Sequence, residues 1–257
     1  MTFRGQVMAV TLVLAVTATH TAISAILTPS LPTQLTLDYT LHYGQIIIGH
    51  VVKTLKRQKN GSYYHSTWTR PAGLAKVFTN VQFVEQGTFT ISGRRPQPLS
   101  FADTKTGDGH DYRREAIFNY PMHRLVFAHA PTKPLPPGTQ DLDTVFYLFM
   151  LNPVKPGMRK RVYVTNGKDV KPYWFVYRRS EMMMTPWGKL KTYLVSRMSR
   201  SDWEAEKRCT TPTPACRARF HAFEIWVAPA LQDVPVRLRQ RQHGHTLTLT
   251  ITYLSRS

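Results

Sequence analysis

Asp141 and Asp143 stand two residues apart and are the nearest thing in this chain to an acid–base pair. They follow Pro136-Pro137-Gly138-Thr139-Gln140 and precede the apolar run Thr144–Leu151, which ends at Asn152-Pro153. That setting predicts a short helix with the aspartates at its start, where a carboxylate caps free N–H groups and favours the positive end of the helix dipole. Capping therefore explains the pair better than catalysis does. Asp108-Gly109-His110-Asp111 gathers two carboxylates and an imidazole, but calcium loops need more oxygen ligands and the zinc spacing is wrong, so it reads as a solvated hairpin loop. His42 with His50, or His243 with His245, could pair across strands without a third ligand. Met182-Met183-Met184 offers thioethers, yet alternation sets Met183 opposite the others, and a core-facing strand with one exposed methionine is expected. There is no Gly-x-Ser-x-Gly elbow, His-Glu-x-x-His, phosphate-binding glycine loop or catalytic Cys-His pattern. No catalytic residue, metal set or cofactor is expected.

Basic residues are the most suggestive surface chemistry. The chain carries 34 Lys and Arg against 15 Asp and Glu, a formal net charge of +19. Such a surface favours anionic partners. Arg237, Arg239 and Arg241 alternate with Val236, Leu238 and Gln240, and Arg217 and Arg219 do likewise before Phe220. On neighbouring strands these guanidiniums would form a cationic face for phosphate or carboxylate groups. The ordinary alternative is that their stems cover sheet surface while the heads stay in water.

The elements that must position these groups are mostly strands. Leu35, Leu37, Tyr39, Leu41 and Tyr43 alternate with polar residues, and Leu247, Leu249, Ile251 and Tyr253 alternate with threonines. Both runs have the period of a half-buried strand. Asn60-Gly61 and Asn166-Gly167 each separate two strand-like runs, a hairpin signature. Pro186-Trp187-Gly188 and His243-Gly244 mark two more reversals. Gly44 and Gly49 predict a bulge or a close backbone approach, and Gly138 a turn. A second, weaker helix is expected at Gly73–Phe78. Turns between regularly spaced strands predict an antiparallel β architecture.

Residues 7–27 carry no charge and follow Arg4, which reads as an export signal, with small-residue cleavage patterns ending at Ala18 and Ala25. The alternative is an uncleaved anchor, since a helix of that length spans about 30 Å. In an oxidising compartment Cys209 and Cys216 are expected to form one disulfide closing a short polar loop.

Several motifs together resemble a bacterial exported family catalogued as domain of unknown function 3108. They are Tyr43-Gly44 with Gly49 and then Asn60-Gly61-Ser62-Tyr63; Pro136-Pro137-Gly138-Thr139-Gln140-Asp141-Leu142; and Thr185-Pro186-Trp187-Gly188-Lys189-Leu190-Lys191-Thr192. Trp226-Val227-Ala228-Pro229 followed by Val234-Pro235-Val236-Arg237-Leu238 completes the set, and the likeness runs from about Leu35 to Tyr253. Two features depart from the family pattern. Asp143 and Thr144 follow Leu142 where family members commonly carry serine, and the Cys209–Cys216 loop looks like a local insertion. The resemblance implies an exported protein, an antiparallel, strongly curved open barrel-like sheet and an envelope location, with no established activity.

The expectations are then a signal peptide or anchor over residues 1–25 and one β-rich domain over 33–257, with one or two short helices. The protein is expected to be periplasmic, or anchored in the inner membrane through residues 7–27. Its expected role is non-enzymatic binding of an apolar or anionic envelope molecule such as a lipid, lipopolysaccharide or glycan. The alternative is an envelope assembly factor that binds a protein, presenting an apolar patch near Phe146–Leu151. Peripheral membrane association fits either role, and nucleic acid is not expected.

Overall fold

The computed structural model describes residues 30–73, 75–207, 223–242 and 245–257. The segment 1–25, Arg217, Arg219, Cys209 and Cys216 lie outside them. Among the described residues, no helix is long and apolar enough to cross a membrane.

Among the described residues fifteen strands form one sheet. The first eight are β1 (Gln34–Tyr43), β2 (Ile46–Arg57), β3 (Tyr63–Pro71), β4 (Gln82–Ser92), β5 (Arg95–Thr106), β6 (Tyr112–Asn119), β7 (Arg124–Phe127) and β8 (Lys133–Pro134). The others are β9 (Gln140–Asp141), β10 (Arg159–Thr165), β11 (Val170–Thr185), β12 (Gly188–Met198), β13 (Phe223–Ala228), β14 (Val234–Gln242) and β15 (His245–Arg256). Their order is β8 through β1 in descending sequence, then β15 descending to β9. The two amphipathic strands anticipated at the chain ends, β1 and β15, pair with each other and join the halves. Pairing is antiparallel except at β9, which runs parallel to β10.

This order forces curvature. β8 and β9 lie at opposite ends of the sheet, yet only residues 135–139 separate them in sequence. Six residue steps reach about 20 Å at full extension, far less than a flat sheet with strands some 4.8 Å apart would require. The sheet therefore curls until its ends approach, and Gln140 on β9 donates from its side chain to the Pro96 carbonyl on β5 at 3.1 Å. The sheet remains open, as expected for a barrel-like architecture.

Among the described residues three α-helices accompany it, one more than anticipated: α1 (Ala75–Phe78), α2 (Thr144–Leu151) and α3 (Arg200–Lys207). α2 covers the anticipated residues. It is apolar all round, and every residue in it except Phe146 is buried, as befits a helix inside a domain. The unanticipated α3 starts with a reciprocal cap. The Asp202 N–H donates to Ser199 Oγ at 3.1 Å, and the Ser199 N–H donates to the Asp202 carboxylate at 3.2 Å. That Ser-x-x-Asp signature stands in the sequence.

The turns follow their residues. Gly44, Gly61, Gly138, Gly167 and Gly188 all have positive φ at chain reversals. Pro137 precedes Gly138 in the turn before β9, and Pro229 opens a single 3-10 turn, Pro229–Leu231. Gly49 is a close approach beside a bulge: a Cβ there would lie 2.8 Å from the Arg70 carbonyl oxygen, and the β1–β2 register shifts between Leu41 and His42. The Pro235 carbonyl accepts from the buried Tyr39 hydroxyl at 2.7 Å. The methionine triplet corrects the expected pattern, because Met182 and Met184 are exposed and Met183 is buried. Met183 shares its side of β11 with Glu181, which accepts from the Trp226 indole N–H, and that side is the covered one.

Candidate functional site

The register aligns one polar row across the inner face of the curl. Lys53 stands opposite Thr67, Thr67 opposite Glu85, Glu85 opposite Asp103, and Asp103 opposite Arg114. The adjacent row runs Leu55, His65, Gly87, Phe101, Ala116 and Phe127. A Cβ on Gly87 would lie 2.6 Å from His65 Nε2 and 2.4 Å from the Ser100 carbonyl oxygen. Gly87 thus leaves the space in which the imidazole lies.

The two aspartates before α2 face these rows and divide their work. Asp141 is the cap: its Oδ1 accepts the N–H groups of Asp143 at 2.9 Å and Thr144 at 2.8 Å. Its own N–H donates to Thr144 Oγ1 at 2.9 Å. Asp143 does not cap; it turns inward and pairs with Lys53. Its Oδ2 accepts from Thr67 Oγ1 at 2.6 Å and lies 3.3 Å from His65 Nδ1. Lys53 also donates to Thr67 Oγ1 at 2.8 Å. On the other side of the ring, His65 Nε2 lies 3.6 Å from Asp141 Oδ2. At the far end of α2, Arg94 donates to the Leu151 carbonyl oxygen through Nε at 2.9 Å and Nη2 at 2.7 Å. Both ends of the helix are therefore tied to the sheet through groups that a helix terminus otherwise leaves unsatisfied.

Electrostatics make the cluster self-neutralising. Burial alone would lower the His65 pKa, but the carboxylates of Asp141 and Asp143 outweigh it and raise it to about 9. Burial would raise the Asp143 pKa, yet Lys53 and His65 hold it well below the usual carboxylate range. Two cations thus balance two carboxylates. Glu85 takes the opposite course: burial, reinforced by the charge on Asp143, pushes its pKa to about 8. Mutual geometry rules against acid–base work at the imidazole, because His65 and Asp141 are both 0% exposed and both ring nitrogens face carboxylates. The cluster is a lock between β2, β3 and the start of α2. Among the described residues no group of three or more His, Cys, Asp or Glu is disposed to hold a metal ion.

Beside the lock the inside of the curl forms a half-open cavity of about 280 Å³. One wall carries Lys53, Thr67, Thr69, Glu85 and Asp143; the opposite wall carries Arg197, Phe223 and Gln240. Val51, Phe146, Phe175, Ile225, Leu238 and Leu249 supply the apolar surface. The mixture of an apolar lining with a few placed polar groups is that of a small-molecule pocket.

The arginine face anticipated on β14 is formed, and Arg239 and Arg241 on it are engaged, whereas the buried Arg237 Nε has no hydrogen-bond partner among the described residues. Arg237, Arg239 and Arg241 share the side of β14 turned away from the cavity, since Leu238 and Gln240 line it. Arg239 donates from Nε to Glu224 at 2.6 Å and lies 5.0 Å from the Trp226 ring centroid. Arg241 is 3.9 Å from the same carboxylate. The Asp108–Asp111 segment is an exposed turn whose carboxylates accept local backbone N–H groups, as expected for a hairpin loop. Lys53, His65, Thr67, Glu85 and Arg197 were not singled out from sequence. The available signal was a charge within an alternating apolar strand face, Val51-x-Lys53-x-Leu55.

Comparisons with known proteins agree with this architecture. A structure search finds similarity to the crystal structure of a beta-barrel-like protein of domain of unknown function DUF1849 from Brucella abortus, with a TM-score of 0.53 and 9% identity over 88% of this chain and 99% of that one. At that identity the likeness concerns the fold alone. No curated protein matches the sequence. A family model described as protein of unknown function (DUF3108) matches residues 38–252, from the middle of β1 into the second half of β15. By that match the chain belongs to the DUF3108 family.

Proposed function

We propose that this protein is an exported, non-enzymatic binding protein of the cell envelope, whose curled sheet holds an apolar or anionic envelope molecule in its interior. The observation that carries this reading is the 280 Å³ cavity with its apolar lining and few polar groups. Its size lies just below the roughly 300–1,000 Å³ typical of ligand pockets. One chain or ring system of a lipid fits that space better than a whole diacyl lipid. The uncharged stretch at residues 7–27 supports export, and the basic composition favours anionic surroundings. Native mass spectrometry of the protein purified from the envelope tests the reading. A co-purifying small molecule is expected; finding none, together with no lipid or lipopolysaccharide binding at moderate salt, would remove the proposal.

A second reading, an assembly factor that binds a protein partner, draws on a different surface. Its anticipated patch at Phe146–Leu151 is not available, because Tyr147–Leu151 is buried within the curl. Exposed apolar side chains occur instead at Ile46 and Ile47 on β2 and at Val77 and Phe78 on the adjoining α1, Phe78 being 84% exposed. Contiguous exposed apolar groups of this kind favour contact with another protein. Crosslinking from Phe78 in cells is expected to recover one defined partner under this reading, and recovery of none would count against it.

A further inference from the structure

Among the described residues, Arg197 is the cavity-lining cation without a counter-charge. Its neighbour across the cavity, Lys53, is neutralised by Asp143. Elsewhere on the sheet, Arg114 lies 3.4 Å from Asp103 and Arg239 is bound by Glu224. Arg197 makes no ion pair or hydrogen bond among the described residues. It is held by aromatic rings instead, 4.0 Å from the Phe223 centroid and 4.9 Å from that of Tyr173. Stacking of this kind fixes the plane of a guanidinium while leaving its N–H fork free to bind. A cation taken from water without an anion is costly, and an arginine stays charged under these conditions. The remaining cavity charges do not compensate it, since Lys53 and Asp143 cancel and Glu85 is mostly protonated at neutral pH. The cavity therefore has a net positive charge facing apolar walls.

From this geometry we propose that Arg197 is an anion-recognition residue, binding the oxyanion head of a single-chain amphiphile, a carboxylate or phosphate, whose apolar body occupies the cavity. The inference rests on the binding role proposed above and specifies its ligand class. A bidentate head-group contact to a planar fork is the geometry in which arginine exceeds lysine.

Calorimetric titration of the purified full chain with dodecanoate, dodecyl phosphate and dodecanol tests the proposal without any variant. At least one of the two anions is expected to bind tenfold to a hundredfold more tightly than the alcohol, the range for a hydrogen bond to a charged group. Which anion binds better distinguishes a fatty-acid source from a phosphate-bearing one. Arg197→Met should remove the preference while leaving dodecanol affinity within a few-fold. Arg197→Lys should retain only part of it, and circular dichroism confirms that each variant is folded. Equal affinity for anion and alcohol, or an undiminished preference in Arg197→Met, would overturn the role of Arg197 while leaving the cavity's binding role intact. If neither anion nor alcohol binds, the binding role itself fails and this inference fails with it.

Discussion

Removing one charge from the lock should cost far more than removing a balanced pair. Asp143→Asn leaves Lys53 and His65 facing the single remaining carboxylate of Asp141 in a buried site. Breaking a buried ion pair by deleting one partner costs about 3–5 kcal/mol, because the other charge stays desolvated and unpaired. For a domain of this size that corresponds to a fall in Tm of roughly 6–20 °C. Lys53→Met in the Asp143→Leu background removes one cation and one carboxylate, and His65 and Asp141 are left to balance each other. The double variant should then be less destabilised than the sum of its single variants by about 2 kcal/mol or more, a coupling of the size seen for residues in one network. Urea denaturation of wild type, Lys53→Met, Asp143→Leu and the double variant measures the cycle directly. Strict additivity, or a loss below about 1 kcal/mol for Asp143→Asn, would refute the lock as the element that fastens α2 to the sheet.

The lock and its neighbour also set the pH response. Because the His65 pKa rises from 6.5 unfolded to about 9 folded, its contribution is complete below pH 6.5 and lost as pH climbs through 9. Replacing His65 by Gln should flatten that alkaline limb, worth about 3 kcal/mol in wild type. Glu85, raised from 4.5 to about 8, weakens the fold as pH rises across that interval, so Glu85→Gln should stabilise the protein by up to about 4 kcal/mol at pH 8 and hardly at all at pH 4.5, as followed by chemical denaturation. Gly87→Ala should destabilise by about 1–3 kcal/mol or more through overpacking against His65 and the Ser100 carbonyl, and loss of less than about 0.5 kcal/mol would show that the site relaxes freely. Mass analysis of the exported protein under non-reducing conditions should find no free thiol and a Cys209–Cys216 crosslinked peptide; alkylation of both cysteines without reductant would exclude the disulfide.

Much of the fold was legible because local rules govern it. Alternation fixes which side of a strand is apolar, so β1 and β15 are apparent from Leu35–Tyr43 and Leu247–Tyr253 alone. Gly61 and Gly167 take the positive-φ backbone that glycine tolerates best, so the β2–β3 and β10–β11 hairpins are apparent from their Asn-Gly pairs too. An aspartate, an apolar run and a proline behind it delimit α2. The Ser199–Asp202 capping box was equally present and marks α3. What periodicity alone leaves open is which parity of a long ribbon is covered, as the inverted pattern of the methionine triplet shows.

The site belongs to tertiary structure for a physical reason. Lys53, Thr67 and Glu85 become neighbours through strand register, and Asp143 joins them because the sheet curls around a helix some 90 residues away in sequence from Lys53. A charge within the apolar face Val51-x-Lys53-x-Leu55 marks Lys53 as unusual, but nothing local in the strand says which buried carboxylate it meets. Asp141 and Asp143 look alike in the chain, yet only the fold makes one a cap and the other a counter-ion. The sequence by itself determined strands, turns, the helix and the family; the curl decided which charges meet, which cancel, and that Arg197 faces the cavity with no anion beside it among the described residues.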